Sequence, residues 1–167
     1  MFKFLLGYIW TQLQTTKHKF WVFQYLLKFI LKTWTLYNYN KKLILFKKAI
    51  SHDLSKYRWK EAKYFAKTIF DLKNSTYGSK EYQELLNIIR PAIDLHYSKN
   101  KHHPEYHNNN FDNMTFEDKI EMICDWLSAT KRHKNGNIFK SIEINQKRFN
   151  FSNQDKKMFE NIIEIIN

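Results

Sequence analysis

Apolar positions recur along this chain in steps of three and four, the period of an amphipathic helix, almost from end to end. A first stretch covers about 2–14, and a second, about 16–36, places His18, Val22, Tyr25 and Phe29 on one face. After the polar break NYN, the run KKLILFKKAI predicts a short buried helix ending at Ser51-His52-Asp53. Residues 58–72 give another amphipathic helix, and NSTYGS at 74–79 a turn. The segment 80–99 is helical with Pro91 inside it, where a kink or a new helix start is expected. Asn100–Met114 is polar and reads as the one long loop. Thr115 with Asp118, and Ser152 with Asp155, are capping signals that open helices over 116–132 and 153–166, with another helix at 137–148 between them. The pattern predicts an all-α, single-domain bundle of six or seven helices over residues 1–167.

Composition supports that class. Glycine occurs three times and proline twice, too few for a turn-rich sandwich or barrel. At 167 residues the chain is long enough for a proper core, and aromatics at 17% will carry much of its packing. Lys and Arg number 28 against 16 Asp and Glu, a net +12 that favours anionic partners: a nucleotide, nucleic acid or a membrane surface. One cysteine, Cys124, excludes an internal disulfide and a cysteine-rich zinc module. No run reaches about 18 uninterrupted apolar residues. The expectation is a soluble, cytoplasmic protein without a transmembrane segment (host cytoplasm or virion if viral), with a peripheral membrane contact through residues 1–10 left open.

Candidate chemistry sits in two polar stretches, SHDLSKY at 51–57 and HYSKNKHHPEYH at 96–107. Metal-ligand types occur at His18, at His52-Asp53, at His96, at the pair His102 and His103, and at Asp125. Helices of a bundle can aim such residues at one point, as carboxylate–histidine dimetal sites do. An aspartate can bridge two ions, and two ions can activate water and neutralise a phosphoryl group. A histidine-rich donor set favours Mn, Fe, Co or Ni over Mg. Glu121 lies four residues before Asp125 on the same helix face and is a candidate to steer a ligand histidine from behind. Glu105 follows HHP and is a candidate proton acceptor. Arg132, Lys147 and Arg148 cluster after the Asp125 helix and suit a phosphate. His107 and His133 read as surface residues.

The order H…HD…D, carried by His18, His52, Asp53 and Asp125, resembles that of the HD-domain superfamily of helical metal-dependent phosphohydrolases. HDLSK also resembles the HD-[IL]-G-K form of its cyclic-dinucleotide phosphodiesterase branch, which implies a catalytic role for Lys56 beside Asp53. Ser55 stands where that branch has glycine. His96 and one or both of His102 and His103 resemble the added ligands of HD members with two or more metals. The Gly-Tyr-Pro signature of cyclic-di-GMP hydrolases is absent, since HHPEY is followed by HNNNF. Across roughly 15–150, the combination TKHK…HDLSK…HY-x-x-N-x-HHPEY…EM-x-x-DW resembles an uncharacterised family of small proteins from bacteria, phages and large DNA viruses.

The resemblance implies a phosphohydrolase, a phosphomonoesterase or phosphodiesterase, with one or two divalent transition metals and an anionic substrate, a nucleotide above all. Two other classes stand beside it. One is an HD-fold di-iron oxygenase with four histidines and two aspartates. The other is a basic, non-enzymatic nucleic-acid-binding protein with aromatics interleaved among lysines.

Overall fold

A computed structural model of the chain describes residues 2–75, 79–132 and 136–167. Every regular element among them is helical. In chain order they are α1 (Phe2–Lys32), α2 (Tyr39–Ser51), α3 (Trp59–Asn74), α4 (Lys80–Tyr97), α5 (Phe116–Thr130), α6 (Ile138–Phe149) and α7 (Asn153–Ile166). Short 3-10 turns occupy Leu54–Tyr57, Pro104–His107 and Phe111–Asn113. The all-α class and the helix count therefore match the hydrophobic pattern. Part of the predicted 74–79 turn, and His133, lie outside the described residues.

Two elements differ from the periodicity reading. The stretches 2–14 and 16–36 are one helix, α1, ending at Lys32. Neither glycine nor proline interrupts it at Thr15-Thr16, and the Thr16 hydroxyl donates back to the Gln12 carbonyl at 2.9 Å, a bond made within the helix. Pro91 neither ends α4 nor starts a new helix; α4 runs through it and forgoes one N–H donor there.

Contacts group the chain into two compact units. The first comprises Met1–Lys17 with Asp53–Asn100, the second His18–His52 with Lys101–Asn167. In the first, α3 and α4 pair, and Gly7 of α1 lies so close to the Ala66 carbonyl that a Cβ there would collide with backbone. Phe4 and Tyr8 both meet the Trp59 ring, at 5.8 Å between centroids. Lys3 reaches Asp71 at 3.0 Å.

The second unit holds the larger hydrophobic core. Val22, Leu26 and Phe29 from α1, Leu45 and Ala49 from α2, Ile120, Ile123 and Leu127 from α5, and Phe159, Ile162, Ile163 and Ile166 from α7 are all buried. The α7 set falls at steps of three, one and three, a single helical stripe. Phe111, Phe151 and Phe159 form an aromatic knot with centroids 4.8–5.9 Å apart, mostly edge to face. Both predicted caps form. Thr115 and Asp118 make a reciprocal capping box at α5, and Ser152 accepts from the Asp155 backbone at α7.

Candidate metal centre

Helix α5 explains where the polar site lies in the second unit. It is buried nearly all round, yet Asp118, Glu121 and Asp125 recur on it at steps of three and four. Three carboxylates on one stripe of a buried helix are expensive unless matched. Facing partners come from α1 and α2. Lys48 in the last turn of α2 and His52, its C-cap, stand four residues apart, and His18 is buried on the inner face of α1.

Glu121 receives the most. Its Oε1 lies 2.9 Å from His52 Nδ1 and 3.4 Å from His102 Nδ1, and its Oε2 accepts from Lys48 Nζ at 2.9 Å. Lys48 also donates to Asp118. Burial pushes the Glu121 carboxyl up, but the hydrogen bonds and charge of His102 and His52 outweigh it and hold the group well below its usual range. Burial likewise pushes Lys48 down, and Glu121 with Asp118 more than offsets this, so its pKa is raised.

A carboxylate on Nδ1 holds the ring in the tautomer with its lone pair on Nε2. The Nε2 of His52 lies 3.5 Å from His18 Nε2 and 3.6 Å from Asp125 Oδ1, while His18 Nε2 lies 2.7 Å from that oxygen. Atoms of metal-ligand type thus converge at separations near those of ligands sharing one ion, about 3 Å for metal bonds of about 2.0–2.2 Å. With no ion present, the 2.7 Å contact is a hydrogen bond in which the His18 ring donates to Asp125. Burial opposes ionisation of Asp125, yet hydrogen bonding and charge from His18 and His52 keep it well below the ordinary 3.8. Two histidines and a carboxylate, from α1, the C-cap of α2 and α5, could therefore hold a metal ion. His52, His102 and Glu121 also present ligand atoms within 4.8 Å of one another.

The first unit holds a second buried set. His96 Nε2 lies 3.2 Å from Asp53 Oδ1, and its Nδ1 lies 3.2 Å from Glu61 Oε2, repeating the arrangement of a histidine between two carboxylates. Asn100 and Ser55 also touch that ring nitrogen. Lys56 donates to Asp53 Oδ2 at 2.5 Å and is partly exposed. Asp53 sits at φ 55°, a left-handed conformation that aspartate accepts more readily than most residues.

Most predicted residues fall into these two sets: His18, His52, His102, Glu121 and Asp125 in the second unit, Asp53, Lys56 and His96 in the first. His102 is the buried member of the HH pair, and half-buried His103 packs on it with ring centroids 4.1 Å apart. Glu105 accepts from Arg148 at 2.7 Å, so these two candidates engage each other. Arg132 and Lys147 are exposed, whereas the ligand sets are buried. His107 meets the Lys101 carbonyl at 3.0 Å within its loop. Cys124 is buried, and burial with the nearby Glu121 and Asp125 charges pushes its thiol well up, away from the reactive thiolate. Lys48, Asp118 and Glu61 carry weight that the sequence reading did not assign. The signal for the first two was spacing: Lys48 stands four residues before His52, and Asp118 three before Glu121.

With this geometry in view, comparison places the chain in a family. The match to the group described as "Family of unknown function (DUF5662)" covers residues 9–167. The chain belongs to DUF5662. That span takes in both ligand sets of this DUF5662 protein. No curated protein and no solved structure matches the chain.

Proposed function

We propose that this DUF5662 protein is a metal-dependent phosphohydrolase of HD type, acting on a nucleotide or related phosphate ester. The observation that carries the reading is the meeting of His18 Nε2, His52 Nε2 and Asp125 Oδ1 at 2.7–3.6 Å, with Glu121 on the far nitrogen of His52. His18, His52 and Asp125 would hold a divalent ion, which would supply Lewis acidity toward water and phosphoryl oxygens.

The chain's own residues prepare that chemistry. Asp125 remains ionised, and Glu121 fixes the His52 ring with its lone pair inward. Lys48 balances Glu121 and Asp118 so that burying them is tolerable. Asp53 and His96 supply ligand atoms for a further ion, and Lys56 is the cation that the HD resemblance assigns to the developing phosphoryl charge. The net +12 suits an anionic substrate.

Elemental analysis of protein purified without added metal tests the reading first. Bound Mn, Fe, Co or Ni, lost in His52→Ala and Asp125→Asn, together with phosphate release from a panel of nucleotides and model esters, is the expected result. Failure to hold a transition metal under any loading condition would overturn it. Bound iron with oxygen consumption and no phosphate release would replace hydrolysis by the oxygenase chemistry.

A further inference from the structure

The amino-terminal half of α1 is amphipathic in the reverse sense. Its fully buried positions in the first unit are small or polar, Gly7, Thr11 and Thr15 at steps of four, with Phe4 and Tyr8 half-buried against Trp59 beside them. Five other large apolar side chains point the opposite way. Phe2, Leu5, Leu6, Ile9 and Leu13 are between 43% and 75% exposed. An ordinary surface helix buries its large apolar residues and shows its polar ones. A contiguous apolar face of this kind marks a surface that something covers.

Charge selects the occupant. In the first-unit part of α1, residues 2–17, the charged residues are Lys3 and Lys17, with no aspartate or glutamate. Phe2, Leu6, Ile9 and Leu13 follow the four–three–four spacing of a coiled-coil seam, which would suit a second copy of the chain. The charged positions beside that seam are Lys3 and Lys17, and no carboxylate exists in the helix to pair with them across a symmetric interface. Lys3 is shared with Asp71, but both are well exposed and the pair is weak. An anionic lipid surface offers apolar depth for the exposed face and negative charge for the lysines. Among the described residues no helix is long and apolar enough to cross a membrane, so the geometry is that of a helix lying in the interface.

We infer that α1 docks this protein on anionic membrane surfaces through Phe2, Leu5, Leu6, Ile9 and Leu13. The inference is independent of the metal chemistry. The test is co-sedimentation of the full chain with vesicles of phosphatidylcholine alone or with about 30% phosphatidylserine. Binding is expected to the anionic vesicles, at least about ten-fold weaker to the neutral ones or at about 0.5 M salt. The triple variant Leu6→Ser/Ile9→Ser/Leu13→Ser loses about ten-fold or more of the partition while keeping native circular dichroism, because these side chains are exposed. The single variant Ile9→Glu reads the same face independently. No binding by the native chain, or undiminished binding by the variants, overturns the inference. Light scattering that shows a dimer which Ile9→Glu dissociates also overturns it, since a second copy then covers the face.

Discussion

Glu121 Oε1 stands 2.9 Å from Nδ1 of His52, on the side of the ring opposite His18 and Asp125. One buried carboxylate thereby determines which nitrogen of the histidine carries its lone pair. It does so while its other oxygen accepts from Lys48.

Glu121→Gln should therefore weaken metal binding without removing a ligand of the His18–His52–Asp125 set. Outer carboxylates on ligand histidines are typically worth about 10–100-fold in affinity. Competition against a chelator measures it. An unchanged affinity would show that the ring is held by other contacts.

Asp125→Asn retains shape but loses the charge and an oxygen donor. Added Mn or Co should raise the melting temperature of the native protein by mass action and leave this variant unmoved, since only the folded state presents the site. Calorimetry with and without metal reads the difference. An equal rise in both proteins would place the ion elsewhere.

Lys48 bridges two carboxylates whose side chains are only 3% and 6% exposed. Lys48→Met leaves both without their cation and is expected to cost about 3 kcal/mol, at the lower end for a broken buried pair. The triple replacement Lys48→Met/Asp118→Leu/Glu121→Met should recover much of that loss while abolishing ring positioning. Urea unfolding curves separate the two outcomes.

Asp155 is held below its ordinary 3.8: burial opposes this, and Ser152 and Lys119 outweigh it. A depressed carboxylate stabilises the fold fully above 3.8 and ceases to do so as pH falls through its lower folded-state value. Asp155→Asn should cost about 1 kcal/mol near neutrality through the weakened cap of α7. The gap between variant and native unfolding free energies should shrink only below 3.8. A gap that closes well above that point would assign the effect to another group.

Much of the candidate site is legible in the order of ligand types, because a histidine, a His-Asp doublet and an isolated aspartate between apolar neighbours, each weak alone, together supply the donors of a carboxylate–histidine site. Glu121 is legible for a different reason: four residues on a helix place it beside Asp125. Lys48 is not. It belongs to the pair Lys47-Lys48, and only the packing of α2 against α5 distinguishes exposed Lys47 from its half-buried neighbour. Glu61, in an amphipathic run rich in lysine, looks like any solvated glutamate until α4 brings His96 against it.

The sequence by itself determined the all-α class, the cap positions of α5 and α7, and the types of donor available. These follow from local physics: periodicity, reciprocal capping and the chemistry of individual side chains. Tertiary structure alone decided that α1 is unbroken, that His102 rather than His103 is the buried ring, and which carboxylate stands behind each histidine. It also decided that Phe2, Leu5, Leu6, Ile9 and Leu13 are exposed. Such choices depend on which side of each helix meets a distant neighbour, a relation that spacing along one chain does not encode.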